Sequence, residues 1–384
     1  MNTLASSSPS SERIPWYVWA STLAAACIMS GLYWDISWHE TIGRDTFWTP
    51  AHLMIQFGAV LAAVYSSYLI FGTTFGRDPI AKGTSVRVLG FRGPLGAFIC
   101  AWGGAAMLSS APFDNWWHEA YGLDVKIISP PHSMLAMGIA AISWGSVILI
   151  LGQMNRSEGA MHRHLQWLLL FTGGLIVILD MMFKLEYTNR VQMHSAVMYL
   201  AVSIWLPFVL EGIARASGWR WARTAMTGIY TAFFLLTLWT FPLFAAEPKL
   251  GPVYQRVTHM VPLHFPLLII FPALAVDLLM PRLQTWDRWR QAAVAGAVFV
   301  VVLFAVQWPF GTFLMSPATR NPFFATQEFA YMLPPTVASV RNVFAQMELT
   351  AFQFWRNVAW ALVAAIVSIR AGITWGNWMQ RVKR

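Results

Sequence analysis

Charge is scarce in this chain. Asp, Glu, Lys and Arg make up 11% of its 384 residues, where a soluble domain carries about a quarter. With 57% hydrophobic residues and 15% aromatics, that scarcity excludes an ordinary soluble domain and puts most of the chain in a bilayer. Cysteine is nearly absent as well. Cys27 and Cys100 both lie inside apolar runs, so the sequence offers neither a disulfide framework nor a thiolate metal site, and both read as small core residues. No run alternates polar and apolar residues long enough to make a barrel strand. No glycine-rich phosphate loop, haem, flavin or nucleotide signature is present. The N-terminal MNTLASSSPSSER carries one basic residue, and the apolar run behind it shows no cleavage site, so it is expected to stay as a first span.

What the sequence does have is long apolar runs. Ten windows are long enough to cross a bilayer as helix: 15–34, 50–71, 92–112, 131–151, 164–183, 192–213, 224–245, 261–280, 291–309 and 352–372. The expected architecture is therefore an all-α polytopic bundle. It comprises a tail (1–14), two duplicated two-span repeats (15–152), two degenerate ones (153–281), and a last pair of spans (282–384) enclosing a long aromatic outer loop at 310–351. Of the 26 Lys and Arg, 17 fall in alternate connections and the two tails, from Arg77, Lys82, Arg87 and Arg92 through to Lys383 and Arg384. The positive-inside rule makes that side cytoplasmic, with both termini on it. The net charge of +9 is thus topological, and a nucleic-acid partner loses its main support. The opposite side holds 11 of the 17 acids and seven of the nine His. For a bacterial inner-membrane protein, that side is the periplasm.

Two stretches repeat one another. WDISWHETIGRD (34–45) and FDNWWHEAYGLD (113–124) share Asp35/Asp114, Trp38/Trp117, His39/His118, Glu40/Glu119, Gly43/Gly122 and Asp45/Asp124, and each is followed by a Pro-x-His ending at His52 or His132. Asp and His four apart stack on one helix face, with Cβ atoms roughly 5–6 Å apart. A reversal after the glycine brings the outlying His beside them. Each copy then offers two imidazoles and one carboxylate, a set that suits copper, iron or zinc and leaves coordination positions open. Glu40, Asp45, Glu119 and Asp124 are placed to orient the imidazoles, or to bridge two ions if the copies face each other. Asp180, Glu186 and His194 in a third helix pair, and His259 and His264 in a fourth, are further candidate ligands. The plainer alternative is that paired Asp and His form hydrogen-bonded caps at helix ends. Ionisable groups beside a bilayer are costly, and two copies of the same set favour metal.

Asp35-x3-His39-x12-His52 and Asp114-x3-His118-x13-His132 resemble the metal motifs in the C subunit of the copper membrane monooxygenases that act on methane and ammonia. The match covers about the first four spans. Where that family has Asn at the head of its second motif, this chain has Asp114, which makes the second set more anionic. The resemblance implies a copper site, of one or two ions, near the outer face, activating dioxygen toward a small apolar substrate with an electron donor or further subunits. Non-haem iron is the alternative metal. A metal carrier or assembly factor, or an accessory subunit with structural sites, is the alternative function.

Overall fold

A computed structural model describes residues 13–43, 48–122, 129–188, 192–249, 257–319, 321–324 and 347–384. Their elements are α1 (Trp16–Thr41), α2 (Pro50–Phe75), α3 (Pro79–Gly83), β1 (Val86–Val88), β2 (Phe91–Gly93), α4 (Leu95–Tyr121), α5 (Pro130–Met154), α6 (Gly159–Met182), α7 (Leu185–Thr188), α8 (Ala196–Ser217), α9 (Ala222–Thr240), α10 (Ile270–Leu283), α11 (Arg288–Leu314) and α12 (Ala351–Met379). Eight of these are long and apolar enough to cross a membrane: α2, α4, α5, α6, α8, α9 with the turn that extends it, α11 and α12. The chain is a helical membrane protein. Helix α1 has 26 residues, but its Trp, Tyr, Ser and Thr hold its mean hydropathy down and it is not among the eight.

Three sequence expectations change. The run 261–280 is not one helix. The chain is non-helical from 257 to 269, and α10 begins only at Ile270 and has 14 residues, about 21 Å at the helical rise. Pro262 and Pro266 are the reason, since each lacks an N–H and pushes the preceding residue out of the helical region. The second change is a strand pair. Val86–Val88 and Phe91–Gly93 form an antiparallel hairpin that is too short to register in windows of spanning length. The outer loop also begins later than expected, because α11 runs on to Leu314. Residues 325–346 lie outside the described set.

The contacts divide the chain into two compact units. One gathers the described part of Met1–Ala25 with Gly58–Leu169 and Arg381–Arg384. Its core is the crossing of α4 and α5. A Cβ added at Gly103 would stand 2.7 Å from the Gly138 carbonyl oxygen and 2.9 Å from the Ile142 nitrogen, so the backbones touch through glycine. The chain's last residues dock here too. Asn155 Nδ2 donates to the Val382 carbonyl at 2.8 Å, and Arg156 to that of Lys383 at 3.0 Å.

The other unit holds Ala26–Phe57 and Leu170–Gln380. Tyr33, Tyr199, Tyr230 and Phe299 lie in its interior. Its non-helical segment 257–269 is buried along most of its length, and side chains satisfy its backbone. Val261 N donates to Thr41 Oγ1 (2.8 Å), Ser37 Oγ donates to the Val261 carbonyl (2.6 Å), Leu267 N to Tyr230 Oη (3.0 Å) and Leu268 N to Gln307 Oε1 (2.8 Å). Irregular backbone among apolar surroundings survives only with such partners.

Candidate metal centre

The first copy of the repeat is assembled from the last turns of α1 and the first turn of α2. Asp35 and His39 lie one turn apart on α1. Pro50 opens α2, and Thr49 Oγ1 accepts from His52 N at 3.1 Å, a capping bond that fixes the turn carrying the imidazole. Gly31, one turn before Asp35, lets the two helices approach. A Cβ there would lie 2.7 Å from Ile55 Cγ1 and 2.9 Å from Ile55 N. The result is compact. Asp35 Oδ1 stands 3.1 Å from His52 Nε2 and 3.5 Å from His39 Nε2. One ligand atom from each of the three residues lies within 4.8 Å of the others. Among the described residues, this is the one group of three or more His, Cys, Asp or Glu that does so.

The second copy repeats the parts in the other unit. Pro130 opens α5, and Ser129 Oγ accepts from His132 N at 3.4 Å and contacts His132 Nδ1 at 3.0 Å. Asp114 Oδ2 is 3.4 Å from His118 Nε2, and Asp114 Oδ1 is 3.6 Å from His132 Nε2. His118 Nδ1 donates to the Gly122 carbonyl at 3.1 Å, which in a neutral ring leaves Nε2 as the lone-pair nitrogen facing the carboxylate. Gly122 has φ +81° and its counterpart Gly43 φ +97°. A side chain is strained at such angles, which is why both copies leave the helix through glycine.

In both copies the inward carboxylate oxygen, Asp35 Oδ1 or Asp114 Oδ1, is buried and accepts no hydrogen bond from any described residue. Each oxygen instead faces imidazole nitrogen. A buried acceptor left this way costs about 1–3 kcal/mol, and a cation seated among the three groups would satisfy it. The donor set and this orphaned oxygen fit a divalent transition metal.

The copies also differ. Ser37 and Thr41 are buried and grip Val261, holding the end of α1 from the side away from the ligands. The equivalent residues on α4 are Trp116, 53% exposed, and Ala120, also exposed. Gln56, one turn along α2 from His52, has a buried Oε1 that no described residue hydrogen-bonds. Ala136 stands in its place in the second copy. The first site is thus the more tightly framed. Aligning the copies on their shared residues, with one residue gained before Pro130, exposes both differences, although the Val261 grip needs the fold.

The remaining candidates are placed elsewhere. Glu40 is exposed, and Glu119 accepts from Asn115 Nδ2 on its own helix at 2.9 Å. Asp45 and Asp124 lie outside the described residues. In the third helix pair, Lys184 occupies the position of the inner His, and its Nζ lies 2.7 Å from Asp180 Oδ2 in a buried ion pair. Asp180 therefore has a cation supplied from the turn just beyond its helix. His194 Nε2 meets Thr312 Oγ1 at 2.9 Å, and its ring stands edge-on to Trp308 with centroids 4.5 Å apart. Glu186 is exposed on α7. His259 Nδ1 contacts Thr258 Oγ1 at 2.9 Å, and His264 is half-buried in the non-helical segment.

Two charged features escaped the sequence reading. Arg223, counted there among the cytoplasmic cations, is buried. Its Nη1 lies 2.7 Å from Asp277 Oδ1, and it also pairs with Glu211. Glu211 and Asp277 are 1% and 0% exposed. The signal was present, since each acid interrupts an apolar run. Glu348, just before α12, accepts from Ser195 Oγ (2.8 Å), Val197 N (2.9 Å) and Asn357 Nδ2 (3.0 Å), so it caps α8 from far along the chain. No local pattern announces that. No protein-family model matches the chain, and neither the curated proteins nor the solved structures contain a match to it.

Proposed function

We propose that this membrane protein binds copper, or non-haem iron, at its Asp-His-His sites and oxygenates a small or lipophilic apolar substrate. The observation that carries the metal reading is Asp35 Oδ1, buried without a hydrogen bond among the described residues and facing two Nε2 atoms at 3.1 and 3.5 Å. Two imidazoles and a carboxylate favour copper or iron over the hard cations and leave positions open for a further ligand. The oxygenase reading draws on the Asp-x3-His-x12/13-His spacing, which resembles that of the copper membrane monooxygenases, and on the setting of the sites at the ends of apolar helices, where a lipid-soluble substrate arrives. When bound, such a metal supplies the dioxygen chemistry that no side chain provides.

The chain's own residues hold and orient. Asp35 and Asp114 carry the negative charge, Thr49 and Ser129 set the turns bearing His52 and His132, and the Gly122 carbonyl keeps His118 in the tautomer with Nε2 free to ligate. Turnover needs electrons, delivered by a donor protein or further subunits. The distribution of Lys and Arg supports a bacterial inner membrane with the sites at the periplasmic face. A carrier or assembly factor that takes up the same ion without turnover is the second reading. It is favoured by the accessibility of the ligands, with the side chains of His39 and His132 36% and 35% exposed.

The test is metal counting by mass spectrometry on the full chain purified in detergent, with EPR before and after reductant and dioxygen. One or two tightly held copper or iron ions are expected, diminished in His39→Ala and His118→Ala. Oxygen uptake that depends on an apolar additive separates oxygenase from carrier. Unchanged metal content in both variants would remove the ligand assignment.

A further inference from the structure

The hairpin between α2 and α4 has two features that its neighbours in the fold do not explain, and a third that fixes it in place. Its turn is the two-residue Leu89-Gly90, with φ +49° and +90°, the mirror-image type that matches strand twist and ordinarily takes Asn-Gly. Leu89 is the one described non-glycine residue at positive φ, and it is 83% exposed. A strained backbone presenting an apolar side chain outward points to function rather than packing. Secondly, Arg87 and Arg92 are register partners across the strands. Directly opposite residues have Cβ atoms about 4.5–5.5 Å apart, and like charges there repel. Both are exposed, and among the described residues neither forms an ion pair. Thirdly, the hairpin is held in place. Arg92 N donates to Thr74 Oγ1 at 2.8 Å, and Phe91 packs edge-on to Phe71 of α2 at 5.8 Å. Phe75 and Ile80 beside it are 74% and 75% exposed.

We propose that this hairpin is a headgroup clamp for anionic phospholipid, with a phosphate held between Arg87 and Arg92 and Leu89 inserted among the acyl chains. The pairing of two arginines is relieved by an anion between them, and guanidinium groups suit phosphate. The apolar tip and the neighbouring exposed Phe75 and Ile80 favour an anion attached to lipid over a free one. The hairpin joins the ends of two spanning helices, so it lies where headgroups are. This inference is independent of the metal reading.

The test is native mass spectrometry of the full chain in detergent, titrated with phosphatidylglycerol or phosphatidylcholine. Preferential retention of phosphatidylglycerol is expected. The Arg87→Gln/Arg92→Gln variant should lose about thirtyfold in apparent affinity for it. Leu89→Asn, which suits the positive φ better and so preserves the hairpin, should also bind it more weakly. Equal retention of the two lipids, or unchanged binding by the Gln variant, would overturn the clamp. Displacement of the lipid by millimolar inorganic phosphate would overturn the lipid as the ligand in favour of a soluble anion.

Discussion

Asp35, Asp114 and Asp180 each have a basic or imidazole side chain four positions on, and that residue decides what each carboxylate becomes. His39 and His118 leave a carboxylate oxygen facing imidazole nitrogen, whereas Lys184 brings an ammonium to 2.7 Å and closes the site. Both partners of that ion pair are buried. Removing one leaves an uncompensated charge, so Lys184→Met should destabilise the protein by about 3–5 kcal/mol, read as a lowered midpoint in detergent melting. Asp180→Leu combined with Lys184→Met should recover most of that loss, because no charge is then stranded. If the double variant melts no higher than the single, the ion pair is not the source of the loss.

At the scale of elements, the helix pairs meet through glycine, and the frame around each site follows from what packs behind it. Gly103 touches the backbone of α5, so Gly103→Leu should force α4 and α5 apart and cost several kcal/mol, about the upper range for overpacking. Thermal unfolding checks this. In the first copy, the C-terminal end of α1 is held by the bonds of Ser37 and Thr41 to Val261. Ser37→Ala with Thr41→Val should weaken metal binding at Asp35, His39 and His52 by about tenfold, in line with losses seen for outer-shell changes, and leave the second site as it was. Metal titration on a His118→Ala background isolates the first site. An unchanged affinity there would mean the grip on Val261 is structural only.

At the scale of the whole molecule, a metal that binds the folded chain stabilises it by mass action, by about 2.7 kcal/mol at a hundred times the dissociation constant. Added copper or iron should therefore raise the melting temperature of the native chain and leave that of a His39→Ala/His118→Ala variant in place. The distribution of Lys and Arg makes a separate claim. A reporter that fluoresces only in the cytoplasm, fused after Arg384, should fluoresce. A dark fusion would reverse the orientation and move the metal motifs to the cytoplasmic face.

Much of this was legible before any coordinates. Apolar windows located the long helices because each spans about 20 residues of one chemistry and satisfies its own backbone. The duplicated Asp-x3-His and Pro-x-His were visible because helix periodicity and a proline-opened first turn are local properties. What the sequence could not decide depended on partners distant along the chain. The apolar window at 261–280 reads as one span despite Pro262 and Pro266, and only the fold shows it broken, with Ser37, Thr41, Tyr230 and Gln307 satisfying the non-helical backbone there. Arg223 read as a loop cation until the fold set it between Glu211 and Asp277, and Glu348 became the cap of α8 only through tertiary packing. Local periodicity determines which side chains share a helix face. Only the packed structure decides which buried charges, carbonyls and amides find each other, because those pairings are set by burial and not by spacing.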